Sequence, residues 1–183
     1  MTHVYNGMSP FTHRANGLVG AAFRMKSMYG EIICDGNHST PEALRMFFDA
    51  KGPHYGIMIS DALMAKGSPA GSKFIFGGNE IQVYPDGSAH LTEGGALAGS
   101  TLNLNRGLQL LIEEALVPVE TAVNACTKNP AECLRIADRK GSIKTGLDAD
   151  LVVLDRDYQV LQTYCMGRAM LDYQTGSSDG GVL

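Results

Sequence analysis

Residues 30–61, GEIICDGNHSTPEALRMFFDAKGPHYGIMISD, carry the pattern that decides the fold. Glu31-Ile32-Ile33-Cys34 is a short apolar run that stops at Asp35-Gly36, as a buried strand does when it reaches a turn. Thr40-Pro41-Glu42 then opens a helix expected to run through Lys51. Thr40 is suited to cap it, and Pro41 at the first helical position loses no hydrogen bond. Gly52 and Pro53 end that helix, and Gly56-Ile57-Met58-Ile59-Ser60 follows as a second buried strand closed by Asp61. Apolar strand, crossover helix, apolar strand predicts parallel α/β structure. In such folds ligands gather at the carboxyl ends of the strands. Topology therefore singles out Asn6, Asp35 to His38 and Asp61 before their chemistry is considered.

Outward from this unit, His3-Val4-Tyr5-Asn6 reads as a strand end and Leu18 to Met25 as a short helix. Residues 72–91 change texture. Phe74 to Phe76, Glu80 to Tyr84 and Ala89 to Leu91 are strand-like runs broken by Gly77-Gly78 and Pro85-Asp86-Gly87, a β insertion in the α/β pattern. After the glycine-rich stretch Gly94 to Gly99, helices are expected over Thr101–Leu116, Val119–Thr127 and Pro130–Ala137. Leu104, Leu108, Leu111 and Ile112 give the first of these an apolar face. From Gly141 the pattern turns to β, with later strands over Val160 to Tyr164 and Arg168 to Asp172. The expected organisation is an α/β unit over 1–139, β strands over 140–173 and a Gly/Ser-rich flexible tail over 174–183.

With 183 residues, 44% of them hydrophobic, the chain is long enough for one real core. A net charge of −4 offers no basic surface for nucleic acid or anionic membranes, so any anionic ligand must be met by local cations. Cys34, Cys126, Cys133 and Cys165 form no CxxC pair and read as buried free thiols. No apolar run approaches the ~20 residues of a membrane span. No basic region followed by an apolar block marks a secretion signal, and the expected location is the cytoplasm.

Five segments, in order, carry a resemblance. Thr2-His3-Val4-Tyr5-Asn6-Gly7-Met8 resembles the "THLFNAM" segment of the N-acetylglucosamine-6-phosphate deacetylase family of amidohydrolases. Arg14, ahead of Asn16-Gly17-Leu18, stands where that family carries an arginine. Asp35-Gly36-Asn37-His38 resembles its "DGxH" segment, Ser60-Asp61-Ala62 its "TDA" segment and Leu97-Ala98-Gly99-Ser100 its "LAGS" loop. Asn129-Pro130-Ala131 and the run Gly141–Asp155 resemble features of the wider superfamily, the last barrel helix and the strands of a small β-sandwich. The resemblance implies the C-terminal part of a (β/α)8 metal-dependent hydrolase barrel with added β-sandwich strands.

It also implies roles. His3 would be a metal ligand, and the metal a divalent ion, zinc or iron. Asp61 would be the general base that takes a proton from metal-bound water and returns it to the leaving amine. Asn6 and Gly7 would offer donors to a phosphate, Arg14 would fork onto its oxygens from a neighbouring subunit of a homodimer, and Asp35, Gly36, Asn37 and His38 would line the substrate. Leu97, Ala98, Gly99 and Ser100 would contact the sugar. Taken without the resemblance, His3 and Arg14 are surface residues, Asp61 a capping acid, His38 a loop residue and Leu97 to Ser100 a glycine hinge. His13, His54 and His90 match no segment and read as surface histidines.

The implied reaction is hydrolysis of N-acetylglucosamine 6-phosphate to glucosamine 6-phosphate and acetate, the partner being a phosphorylated amino sugar. Full-length members are roughly twice this length on the one-barrel expectation. Their earlier half supplies a metal-binding glutamate and a further histidine, so this chain is expected to hold one ligand of the set. A remnant that binds a sugar phosphate without catalysis, or that only associates with a partner chain, is the alternative. A hydrolase of another amide is a third reading, disfavoured by the Arg14 and Asp35–His38 segments.

Overall fold

The structure, a computed structural model, describes residues 1–170. The expected tail over 174–183, and the end of the last expected strand, lie outside the described residues.

The deciding stretch folds as a parallel unit. Strand β1 (Gly30–Ile33) pairs with β2 (Gly56–Ile59) in parallel, from Gly30 opposite Gly56 to Ile33 opposite Ile59. The crossover is helix α2 (Pro41–Tyr55), preceded by α1 (Gly17–Arg24). Thr40 Oγ1 accepts from the Ala43 N–H, the cap expected of a threonine there. The helix does not end at Lys51. Gly52 takes φ 63° and ψ −168°, a conformation open to glycine, and one more turn through Pro53 and Tyr55 follows the break. Proline survives there because a restarted first turn needs no N–H from it.

Packing explains the glycines that begin both strands. A Cβ at Gly56 would lie 2.6 Å from Phe48 Cε1, and one at Gly30 would lie 3.0 Å from Phe47 Cε2. The two rings meet edge to face at 5.1 Å and are almost fully buried, so the crossover helix is seated directly on the paired glycines. Ile32, Leu44, Leu111 and Val117 complete the main core, each such side chain contributing about 1.5–3 kcal/mol by its removal from water. Lys51 is buried beneath, its Nζ donating to the carbonyls of Met25 and Met28 at 3.0 and 2.8 Å.

Two further segments extend the parallel row. The Met1 ammonium donates to Tyr29 O and the Glu31 N–H to Met1 O, the parallel pattern, placing the chain start beside β1. Beyond β2, Ala62 bridges Ser100 in parallel. His3 to Asn6 is a turn rather than a strand end, because His3 and Tyr5 take positive φ.

The insertion forms an antiparallel meander, β3 (Lys73–Phe76), β4 (Asn79–Val83) and β5 (Ala89–Leu91), over a small core of Ala65, Ile81 and Val83. The three later helices are shorter than expected: α3 (Leu104–Glu113), α4 (Val119–Cys126) and α5 (Lys128–Cys133). Asn103 stays extended because the Ser100 hydroxyl holds the preceding backbone, and Leu116 at φ 54° breaks the α3 pattern. The β pattern expected from Gly141 begins later, at Leu151. Residues 142–150 are tied instead by Asp148 N–H to Arg139 O and by Lys140 bridging Asp148 and Asp150. Strands β6 (Leu151–Leu154), β7 (Val160–Cys165) and β8 (Arg168–Ala169) then make an antiparallel sheet. Of the four thiols only Cys34 is buried. Cys126 is half-buried, its thiol pushed up to about 12 by burial, and Cys133 and Cys165 are exposed. Among the described residues no helix is long and apolar enough to cross a membrane.

Candidate active site at the ends of the parallel strands

The turn after the first parallel segment needs three residues of positive φ within five positions, His3, Tyr5 and Gly7. Its closure orients a side chain. The His3 Nδ1 lies 2.8 Å from Asn6 O, and a carbonyl only accepts, so Nδ1 carries the proton and Nε2 keeps its lone pair. The Asn6 Nδ2 is buried with no partner among the described residues. A buried amide donor without a partner costs about 1–3 kcal/mol.

The loop after β1 is built around Asp35. Its Oδ1 accepts from the Asn37 and His38 N–H groups at 2.9 and 2.8 Å, and its Oδ2 lies 2.7 Å from His38 Nδ1. Burial pushes the carboxyl pKa up, but the His38 imidazole and the two backbone donors outweigh it and hold the group below the usual aspartate range. With both oxygens engaged and 8% of its side chain exposed, Asp35 turns toward its own loop. Gly36 takes φ +78°, and both it and Asn37 are exposed.

Asp61 follows β2 at φ 50°, with its side chain exposed. Its carbonyl accepts from the Ser100 N–H at 2.8 Å, the Leu63 N–H donates to Ser100 O at 2.9 Å, and the Ser100 hydroxyl donates to Ser60 O. Gly99 is needed for space and for conformation. It takes φ +65°, and a Cβ there would lie 2.6 Å from Leu63 Cγ. The structure thus brings Ser100 against Asp61 and Gly99 against Leu63, while Leu97 and Ala98 pair with His90 and Ala89 of β5. Arg14 is exposed on the loop before α1 and has no ion pair or hydrogen bond among the described residues. No group of three His, Cys, Asp or Glu side chains among the described residues could hold a metal ion. An open concavity of about 750 Å³, lined by Arg24 to Tyr29, lies ahead of β1, at the opposite strand ends from these residues.

Sequence reasoning missed two features. His90 is a bonded strand residue, with Nε2 2.9 Å from Ser88 Oγ and Nδ1 2.8 Å from Gly95 O, and its ring meets Tyr84 edge to face. The spacing Asp86, Ser88, His90, polar groups running out of the turn into β5, was the available signal. Asn129, fully buried, donates to Pro53 O and Gly56 O and so fastens the break in α2 to the start of β2.

A family model described as "Amidohydrolase family" matches residues 68–170, more than half of the chain. The N-acetylglucosamine-6-phosphate deacetylase of Bacillus subtilis is 41% identical over 167 residues, which cover 91% of this chain and 41% of that one. A protein of Escherichia coli K12 named a putative N-acetylgalactosamine-6-phosphate deacetylase is 33% identical, with 91% of this chain and 97% of that one covered. The crystal structure of N-acetylglucosamine-6-phosphate deacetylase from Pasteurella multocida superposes with a TM-score of 0.86 at 29% identity, over 92% of this chain and 43% of that one. The chain spans about two fifths of the length of the first curated relatives it matches. It belongs to the amidohydrolase family and is similar, within that family, to part of the N-acetylglucosamine-6-phosphate deacetylases.

Proposed function

We propose that the chain is part of a hydrolase that converts N-acetylglucosamine 6-phosphate to glucosamine 6-phosphate and acetate. The observation that carries this reading is the placement of Asn6, His38 and Asp61 after successive segments of the parallel row, at their carboxyl ends, in a chain 41% identical to part of such a deacetylase. In this reading β1, β2 and their flanking segments belong to a (β/α)8 barrel, and β6–β8 to a β-sandwich. Asp61 takes a proton from the attacking water as oxygen bonds to the acetamide carbon. It returns that proton to the nitrogen as the C–N bond breaks, releasing acetate and a free amine. Asn6 and Gly7 meet the phosphate, and the exposed Arg14 reaches it across a homodimer. His38 and Leu97 to Ser100 contact the sugar.

The family is generally metal-dependent, and His3 with its free Nε2 has the tautomer a metal ligand needs. One imidazole does not hold a catalytic zinc or iron, which takes several converging ligands, so the described residues do not fit a complete site. That observation supports a second reading, a chain that binds the sugar phosphate without turnover. Acetate release from N-acetylglucosamine 6-phosphate and from its galactosamine epimer, with zinc added and Asp61→Asn as control, separates the two. Turnover abolished by the substitution supports the enzyme. Saturable binding without acetate supports the binding protein.

A further inference from the structure

We propose that Asp35 is a positioning residue whose carboxylate fixes the His38 imidazole with its proton on Nδ1, leaving Nε2 as the atom that meets a ligand. This assigns Asp35 a role other than substrate contact and deepens the reading of the site given above, on which its relevance to the sugar rests. Three observations carry it. Asp35 Oδ2 and His38 Nδ1 are 2.7 Å apart with side chains only 8% and 5% exposed, so solvent does not compete for the bond. An ionised carboxylate only accepts, which forces the proton onto Nδ1. The other oxygen of Asp35 is locked by the Asn37 and His38 N–H groups, so the carboxylate cannot rotate away from the ring.

The result is a rigid ring with one free nitrogen. The His38 Nε2 has no hydrogen-bond partner among the described residues and is not among the atoms sealed from solvent. With its lone pair exposed it accepts from a hydroxyl; once protonated, it donates to a carbonyl or a phosphate oxygen, with Asp35 stabilising the imidazolium. An isolated imidazole prefers the opposite tautomer, with the proton on Nε2. Without Asp35 the ring would therefore present a donor where the site has an acceptor. The loop fixes where this happens, since it joins the carboxyl end of β1 to the cap of α2 at Thr40.

The test reads the tautomer directly, whether or not the chain turns over. Two-bond proton–nitrogen spectra of the histidine rings are recorded about two units above the ordinary imidazole pKa, where the rings are neutral. His38→Gln assigns the signal. The expected wild-type spectrum shows Nδ1 protonated and Nε2 bare. In Asp35→Ala the proton should move toward Nε2, and Asp35→Glu should restore part of the wild-type pattern. Unchanged signals from His3, His13, His54 and His90 certify that the variant kept its fold. A wild-type ring protonated on Nε2 overturns the inference even if no variant folds, as does a tautomer indifferent to Asp35→Ala.

Titration with N-acetylglucosamine 6-phosphate then separates this inference from the functional reading. A shift at Nε2 in the wild type, with binding about tenfold weaker in Asp35→Ala, supports both. The Nδ1-protonated tautomer with no response to the sugar phosphate supports the positioning role and removes the sugar-phosphate reading.

Discussion

At the scale of single residues, Asp35 and Gly99 are each determined by their immediate surroundings. The Asp35 carboxyl has a folded-state pKa below the usual aspartate range. Its contribution to stability is therefore complete above the unfolded value of about 3.9 and lost as pH falls through the lower folded value. We expect the stability difference between wild type and Asp35→Asn to shrink as pH falls below about 3.9, read from urea midpoints along an acid series. An undiminished gap at the acid end would contradict the ion pair with His38. Gly99→Ala meets a positive φ and a Leu63 carbon at 2.6 Å, and should lower stability by about 2–4 kcal/mol. Loss of acetate release or sugar-phosphate binding should accompany it, because the same residues hold Ser100 against Asp61. Both residues stand in legible motifs, but only contacts distant in sequence reveal what each does.

At the scale of elements, the strand–helix–strand unit is legible because its signals are local. Apolar runs, a threonine cap and a proline at the first turn act within a few residues of themselves. The break inside α2 is less so. Gly52 and Pro53 announce an end, yet the helix resumes for a turn because Asn129, 73 residues beyond Gly56, donates into the gap. Asn129→Ala should cost about 2–4 kcal/mol by leaving the Pro53 and Gly56 carbonyls unpaired. A change in the denaturation midpoint smaller than about 0.5 kcal/mol would show the clamp to be incidental. The shortened ends of α3 and the late start of β6 have the same origin. Ser100 and Lys140 offer the backbone and the acidic side chains competing partners that no propensity scale contains.

At the scale of the whole molecule, apolar surface remains uncovered on the β6–β8 sheet and on the segment ahead of it. Val152 is 59% exposed, Leu161 51% and Ile143 91%. Parallel strands are ordinarily covered on both faces, and a sheet with open edges and apolar faces recruits other chains. As an isolated chain the protein should self-associate, giving species larger than a monomer in sedimentation velocity at roughly micromolar concentrations. A clean monomer across a hundredfold dilution series would contradict this. Zinc should not raise the melting temperature of the isolated chain appreciably, since binding stabilises only in proportion to affinity and one imidazole provides little of it. A rise of several degrees would mean that ligands from another copy complete the site.

The sequence alone determined the parallel α/β unit, the β insertion, and the positions where chemistry gathers after each strand, because periodicity, caps and turn residues act over short distances. Family motifs then supplied candidate roles at those positions. The tertiary structure alone decided that Asp35 bonds His38, that His90 is bonded at both nitrogens, and that Ser100 pairs with the Asp61–Leu63 segment. Those outcomes depend on which lone pair meets which proton across a fold, and no one-dimensional pattern encodes that geometry.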